Sequence, residues 1–305
     1  NESSEKTKKI FDFIKSFKPD FIITGLSVKK NNLDHVACKV ANDLKIKTGA
    51  IQDYYGHFGT FNKIVKPNFF FVIDEYAKSL TNKVGIVDEK NILNTGSPKH
   101  NDYFFKINDW INQKKSIKIK NSEMIFFLQP LNTPGVELNF IKLCKTVQDV
   151  YPGYRLNIKP HPLNHNSNYL LSLSSKYNLN IINFKNKPPE ILMLYFENIL
   201  NCISTIAYDY FFLNYNVLLN KKLNLFNIII GKEIIDYCSK MNFDISLTPQ
   251  YLKGNNLIDD KILRKSIESI FEGRKNSNIK YNPSISNREN IAAKKIINFI
   301  KESLK

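Results

Sequence analysis

Three places in this chain put a reactive or phosphate-binding side chain where a short apolar run gives way to a polar turn. In Lys159-Pro160-His161-Pro162 the imidazole follows the run Arg155–Ile158, and a proline on each side restricts φ and stiffens the turn. An imidazole held there can donate a hydrogen bond to a phosphate oxygen or to a leaving group. In Ser204-Thr205 two hydroxyls follow the run Asn198–Ile203 and precede the helical pattern Ile206–Leu213. Backbone N–H groups at a helix start, helped by the positive end of the helix dipole, bind phosphate, and the same hydroxyls can serve simply as caps. Asp209 lies one turn further in, where a carboxylate is either solvated or reaches a ribose hydroxyl. The third place is Gln129-Pro130-Leu131-Asn132-Thr133-Pro134-Gly135. Here Thr133 is the expected N-cap, Pro134 the first helical residue, and Gly135 would let a ligand approach the backbone closely.

The first half has two weaker constellations. Asp53-Tyr54-Tyr55-Gly56-His57 follows the run Thr48–Gln52, so Asp53 stands at a strand end beside two tyrosines and His57. Asp34 and His35 open a helical pattern after the turn Gly25-Leu26-Ser27, where capping by Asp34 accounts for one of them. No DxD-type pair, HExxH or cysteine cluster is present, so no metal site is expected.

The elements that must carry these turns alternate along the chain. Apolar runs at Phe21–Thr24, Thr48–Gln52, Phe69–Ile73 and Asn91–Asn94 are separated by amphipathic helical stretches. The same alternation restarts with Met124–Leu128, Arg155–Ile158, Leu179–Phe184, Asn198–Ile203, Asn216–Leu219 and Leu225–Ile230. Helices near Asp259–Phe271 and Arg288–Leu304 close the chain, the second with too much apolar surface for a free tail. Strand–helix alternation of this kind predicts an α/β protein with parallel sheets. In such sheets ligands bind outside the carboxyl ends of the strands, which is where the three turns fall.

Length and composition bound the rest. At 305 residues, two domains are the natural expectation, and 43% hydrophobic residues suffice for two cores. The polar stretch 110–121 is the expected linker, between a domain at 1–109 and another at 122–305 whose last helix crosses back to the first. The missing Met and missing opening strand suggest a chain trimmed at its start. Cys38, Cys144, Cys202 and Cys238 are far apart and read as buried, reduced thiols, as in a cytoplasmic protein. The formal charge is +16, yet only four of the 44 basic residues are arginine. Base readers depend on arginine forks, so the charge does not indicate nucleic acid. It can still draw anionic ligands, or bring the chain to the inner membrane face through its lysines.

The order of a strand with Pro160-His161-Pro162, then a strand with Ser204-Thr205 and a helix, resembles the donor-binding half of GT-B glycosyltransferases. Bacterial sialyltransferases, Kdo transferases and CDP-glycerol glycerophosphotransferases carry an HP motif and a later Ser-rich turn that bind the nucleotide phosphate. Thr205 replaces a second Ser here. The segments Val72-Ile73-Asp74-Glu75-Tyr76-Ala77-Lys78 and Ile92-Leu93-Asn94-Thr95-Gly96-Ser97-Pro98 resemble the acceptor half of related surface-polysaccharide enzymes. The resemblance implies two Rossmann-like domains facing across a cleft, and transfer of a sugar from a CMP- or CDP-linked donor, ahead of UDP, to a polysaccharide or glycolipid. It places His161, Ser204 and Thr205 on the nucleotide side, where Lys159, Asp209, Thr133 and Gly135 at the same strand ends are the further candidates, and asks the first half for the acceptor-side base, for which Asp53 with His57 is the choice. The nucleotide-sugar would be substrate rather than cofactor, and the reaction metal-independent. A sugar-nucleotide 2-epimerase and a non-catalytic nucleotide- or glycan-binding protein of the same fold are the alternatives.

Overall fold

The computed structural model describes residues 2–27, 32–53, 58–100, 103, 106, 109, 120–164, 168–182, 188–204, 206, 207, 209, 210, 213, 223–240, 257–272 and 291–305. Two compact units emerge. One comprises the described residues up to 100 together with 291–305, and the other those from 103 to 240 and 257–272. His57, Thr205, the expected strand 216–219 and positions 110–119 of the expected linker lie outside the described residues.

The first unit runs α1 (Glu2–Phe17), β1 (Phe21–Thr24), α2 (Leu33–Asp43), β2 (Lys47–Ile51), β3 (Phe69–Val72), α3 (Glu75–Val84) and β4 (Ile92–Asn94). Its strands form a parallel sheet in the order β1-β2-β3-β4. A parallel sheet is covered on both faces, which is why Phe70, Phe71 and Val72 can follow one another in β3, all buried. Gly49 in β2 answers the same crowding. A Cβ there would lie 2.4 Å from the ring of Phe71, so the aromatic ring fills the space a side chain would need. On one face Ile14, Val36 and Val40 join α1 to α2, with Ile10, Phe11 and Ile22 packed against them.

Helix α3 has both signals of a well-defined helix. Asp74, buried and extended, accepts from Ala77 N at 2.8 Å, and Gly85 at φ 66° ends the helix in the left-handed conformation.

The second unit runs β5 (Lys120–Phe127), α4 (Val136–Val150), β6 (Leu156–Lys159), α5 (Asn168–Lys176), β7 (Leu179–Ile181), α6 (Pro189–Met193), β8 (Phe196–Asn201), β9 (Asn224–Ile228), α7 (Lys232–Lys240), β10 (Leu257–Ile258) and α8 (Leu263–Phe271). Its parallel strands stand in the order β10-β9-β8-β5-β6-β7. That is the doubly wound order of nucleotide-binding sheets, with the direction of winding reversing between β5 and β8. Asparagines pair sideways across this sheet. Asn180 donates to Asn157 at 2.7 Å, Asn224 to Asn198 at 3.0 Å and Asn201 to Asn227 at 3.0 Å, each pair in register. Each pair shares one amide hydrogen bond where a parallel sheet would otherwise bury both side chains unpaired, although Asn227 Nδ2 itself is left without a partner among the described residues.

The last helix, α9 (Ala292–Ser303), packs on the sheet of the first unit. Phe299 meets the rings of Phe69 and Phe71 edge-on at 4.8 and 5.9 Å, and Lys47 Nζ donates to Ser303 O. Helix α7 and strand β10 have no counterpart in the pattern reading. Helix α7 buries only Ile234 and Cys238, and β10 has two residues, so neither shows a sustained period. All four cysteines are buried and free of disulfides, and burial raises their thiol pKa values, Cys38 to about 11 and Cys238 to about 12.

Candidate functional site

In the second unit the chain leaves β5 and β8 in opposite directions, the switch point outside whose strand ends such sheets bind ligands. Gln129, two residues past β5, ties the surrounding loops together. Its side-chain oxygen accepts Ile203 N at 2.9 Å from the loop after β8, and its backbone carbonyl accepts Asn164 Nδ2 at 3.2 Å from the loop after β6. Asn164 is buried, and its own N–H donates to His161 O at 2.8 Å. The exits of three neighbouring strands are thus one hydrogen-bonded body.

Within it, Pro160 is buried and His161 half-buried at the start of a short 3-10 turn, Pro162–Asn164. Leu163 N donates to His161 Nδ1 at 3.3 Å. An Nδ1 that accepts places the proton of the neutral ring on Nε2, so Nε2–H is the donating edge. Lys159 is buried at the end of β6, with Nζ donating to Pro160 O at 3.2 Å, and burial lowers its pKa from 10.5. Its ammonium is engaged inside the turn and stiffens it.

Ser204 begins a helical stretch whose described residues are 206, 207, 209, 210 and 213. Its Oγ accepts Ile206 N at 3.3 Å, while its own N–H donates to Asn201 Oδ1 at 3.2 Å. Asn201 is anchored in turn on Asn227. Asp209 is not solvated, being 1% exposed. It lies in a buried acidic cluster with Glu190 and Tyr103, whose phenol is hydrogen-bonded to Glu190 and has its pKa raised by burial and by the two carboxylates.

Two expectations for the loop after β5 need correction. Thr133 does not cap α4. Its N–H donates to Pro130 O at 2.9 Å and its carbonyl accepts Val136 N at 3.1 Å, so it closes a turn one step earlier. The cap position is Gly135 at φ 77°, with no side-chain cap. Nor does the missing Cβ of Gly135 make room for a ligand. A Cβ there would come 2.6 Å from Ile234 N and 2.7 Å from Ile234 Cβ, so the space belongs to the start of α7.

In the first unit Asp53 is exposed just beyond β2. Asp34 does not cap α2. Asn32 does, accepting His35 N at 2.8 Å, while the Asp34 carboxylate accepts Gly25 N at 3.1 Å, Ser27 N at 3.2 Å and the Ser27 hydroxyl. His35 Nδ1 lies 3.3 Å from Thr60 Oγ1 and its ring stacks on Phe61. Both residues build the loops at this edge.

The pattern reading named Gln129 within its turn but gave it no role, and passed over Asn164, Asn201 and Asn139. Asn139 is buried in α4, donates to Cys202 Sγ at 3.3 Å and accepts Ile230 N at 2.5 Å, which joins the helix to the exits of β8 and β9. The one sequence signal for Gln129 and Asn164 is that both follow strand exits closely. Among the described residues, no group of three or more His, Cys, Asp or Glu side chains could hold a metal ion.

No protein-family model matches this chain, and no curated protein does. Solved structures do. The UDP-GlcNAc 2-epimerase of Neisseria meningitidis bound to UDP-GlcNAc aligns over 98% of this chain and 81% of its own, with TM-score 0.65 and 14% identity. The S. aureus MnaA structure with UDP aligns over 99% and 80%, with TM-score 0.64 and 13% identity. MurG of Acinetobacter baumannii aligns over 99% and 80%, with TM-score 0.53 and 9% identity. At such identities the likeness concerns the fold: two Rossmann-like units built on parallel sheets, as in GT-B proteins.

Proposed function

We propose that the carboxyl edge of the second sheet binds the nucleotide and phosphate of an activated sugar, and that the chain transfers the sugar to a hydroxyl of a glycan or glycolipid. The observation that carries this reading is Gln129 holding the His161 turn and the Ser204 turn together at the reversal of the sheet. The His161 Nε2–H would donate to a phosphate oxygen and stabilise the departing nucleotide. The helix start at Ser204, with the hydroxyl of Thr205, would hold the same phosphate. Lys159 shapes this turn from within. On the acceptor side Asp53, with His57 close by in sequence, is the proposed base. It takes the proton of the attacking hydroxyl as the new glycosidic bond forms and the bond from sugar to phosphate breaks. No cofactor is needed beyond the nucleotide-sugar, and transfer should persist in EDTA. Loss of activity in EDTA with recovery in Mg²⁺ would reject that mechanism.

Epimerisation of the sugar at carbon 2 is the second reading. It is favoured by the likeness to 2-epimerases solved with UDP-GlcNAc. One experiment separates the two. NMR of a nucleotide-sugar incubated without acceptor shows a changed sugar if the chain is an epimerase and an unchanged one if it is a transferase. Calorimetry with CMP, CDP and UDP identifies the donor class. The HP motif favours a cytidine nucleotide, and the solved structures favour uridine. Failure to bind any of the three would leave neither reading standing.

A further inference from the structure

In the first unit every strand points the same way, so α1, α2 and α3 run back and end beside the amino-terminal ends of the strands. That edge is opposite to the one bearing Asp53. It has an unusual make-up. Ile64 is 90% exposed. It is held out by a defined turn, for Asn62 Oδ1 accepts Ile64 N at 2.8 Å and Val65 N at 3.0 Å, Asn62 N donates to Val65 O at 3.0 Å, and Val65 is buried beneath. Lys63 and Lys66 are exposed on either side. Ile64 and Lys66 also line a cavity of about 510 Å³, together with Lys45, Lys47, Asn42 and Asn68. At the same edge α1 ends in Phe17, 70% exposed, followed by Lys18, and α9 ends at Ser303, followed by Leu304, 45% exposed, and Lys305. Asp20, Asp43, Asp88, Glu89 and Glu302 are there too, against Lys18, Lys45, Lys47, Lys63, Lys66 and Lys305.

We infer that this edge docks the first unit on an anionic membrane surface. Exposed apolar side chains set among lysines match anionic head groups above an apolar layer, where each element alone binds weakly and the two together hold. A free phosphate would use the lysines and leave Ile64 without a purpose. Base-specific reading of nucleic acid would call for arginine forks, and this chain has only four arginines in 305 residues, while sequence-independent binding would use the lysines and leave Ile64 and Phe17 without a purpose. Among the described residues no helix is long and apolar enough to cross a membrane, so contact through this edge is peripheral. The inference rests on the first unit alone and stands or falls apart from the transfer reaction.

The test is co-sedimentation of the full chain with vesicles of equal parts phosphatidylcholine and phosphatidylglycerol, and with vesicles of phosphatidylcholine alone. Binding is expected only to the mixed vesicles and should fade with salt. The pair Lys63→Glu with Lys66→Glu should weaken it by about tenfold or more, since each lysine near an anionic surface contributes on the scale of a several-fold factor. Ile64→Ser should weaken it as well, with circular dichroism confirming an unchanged fold. The matched reversal Lys78→Glu with Lys99→Glu, at the opposite edge of the same sheet, should leave binding unchanged. Equal binding to both vesicle types, indifference to the Lys63, Lys66 and Ile64 changes, or no binding at all would overturn the inference. A DNA mobility shift lost in the same variants, without vesicle binding, would assign the edge to nucleic acid instead.

Discussion

The Gln129 side chain accepts the Ile203 amide at 2.9 Å and so spans the two strands, β5 and β8, between which the second sheet reverses its winding. Its backbone carbonyl meanwhile receives Asn164 Nδ2, which fixes the turn bearing His161. One residue therefore sets the distance between the two turns expected to hold phosphate. Gln129→Ala should cost about 1 to 3 kcal/mol of stability, the scale of an amide left without its acceptor. It should also weaken nucleotide binding. Gln129→Glu keeps an oxygen in place and should recover most of the fold stability. Urea denaturation and calorimetry read the two effects separately. Full nucleotide affinity in the Ala variant would show that the turns need no such tie.

His161→Ala should behave in the opposite way. The ring is half-buried and its Nδ1 accepts a local amide, so stability should change by less than about 1 kcal/mol. Nucleotide affinity should fall by about 1 to 3 kcal/mol, the scale of a hydrogen bond to a charged group. Unchanged affinity in calorimetry would remove His161 from the site.

Gly135→Ala tests whether that glycine serves the fold. At φ 77°, with Ile234 N 2.6 Å from the added carbon, the variant is both strained and clashing. A loss of about 2 to 4 kcal/mol is expected from the two effects together. The atoms it meets, Ile234 N, Cα and Cβ, all persist in Ile234→Ala, so that second change should not rescue it. A thermal midpoint equal to that of the parent would contradict the packing.

Lys159 gives a pH signature. Its folded-state pKa is lowered by burial, so between that value and the ordinary 10.5 the unfolded chain binds more protons than the folded one. Stability therefore rises with pH through this window, and below it the charged lysine is a constant burden on the fold. Lys159→Met should stabilise the protein at neutral pH, by an advantage that shrinks as pH approaches 10.5. Urea midpoints across neutral to alkaline pH measure this. A constant or growing advantage would mean that the lysine is not desolvated.

Local signals carried the sequence surprisingly far in some places and not at all in others. The strands show as apolar runs because parallel sheets bury both faces, as Phe70-Phe71-Val72 does in β3. The buried Asp74 cap and the turn at His161 are equally local, since a carboxylate two or three residues before free N–H groups, or a proline pair, needs no distant partner. The caps of α2 and α4 were misread because Asp34 and Thr133 each had a competing backbone turn to close. Only the tertiary structure could decide the rest. Gln129 meets Asn164 and Ile203 from 35 and 74 positions away, Gly135 owes its identity to Ile234, and Asp209 is buried beside Tyr103 and Glu190. Phe299 returns to Phe69 and Phe71. These pairings are set by which strands lie side by side, and a one-dimensional pattern of apolar and polar residues holds the strands without their order.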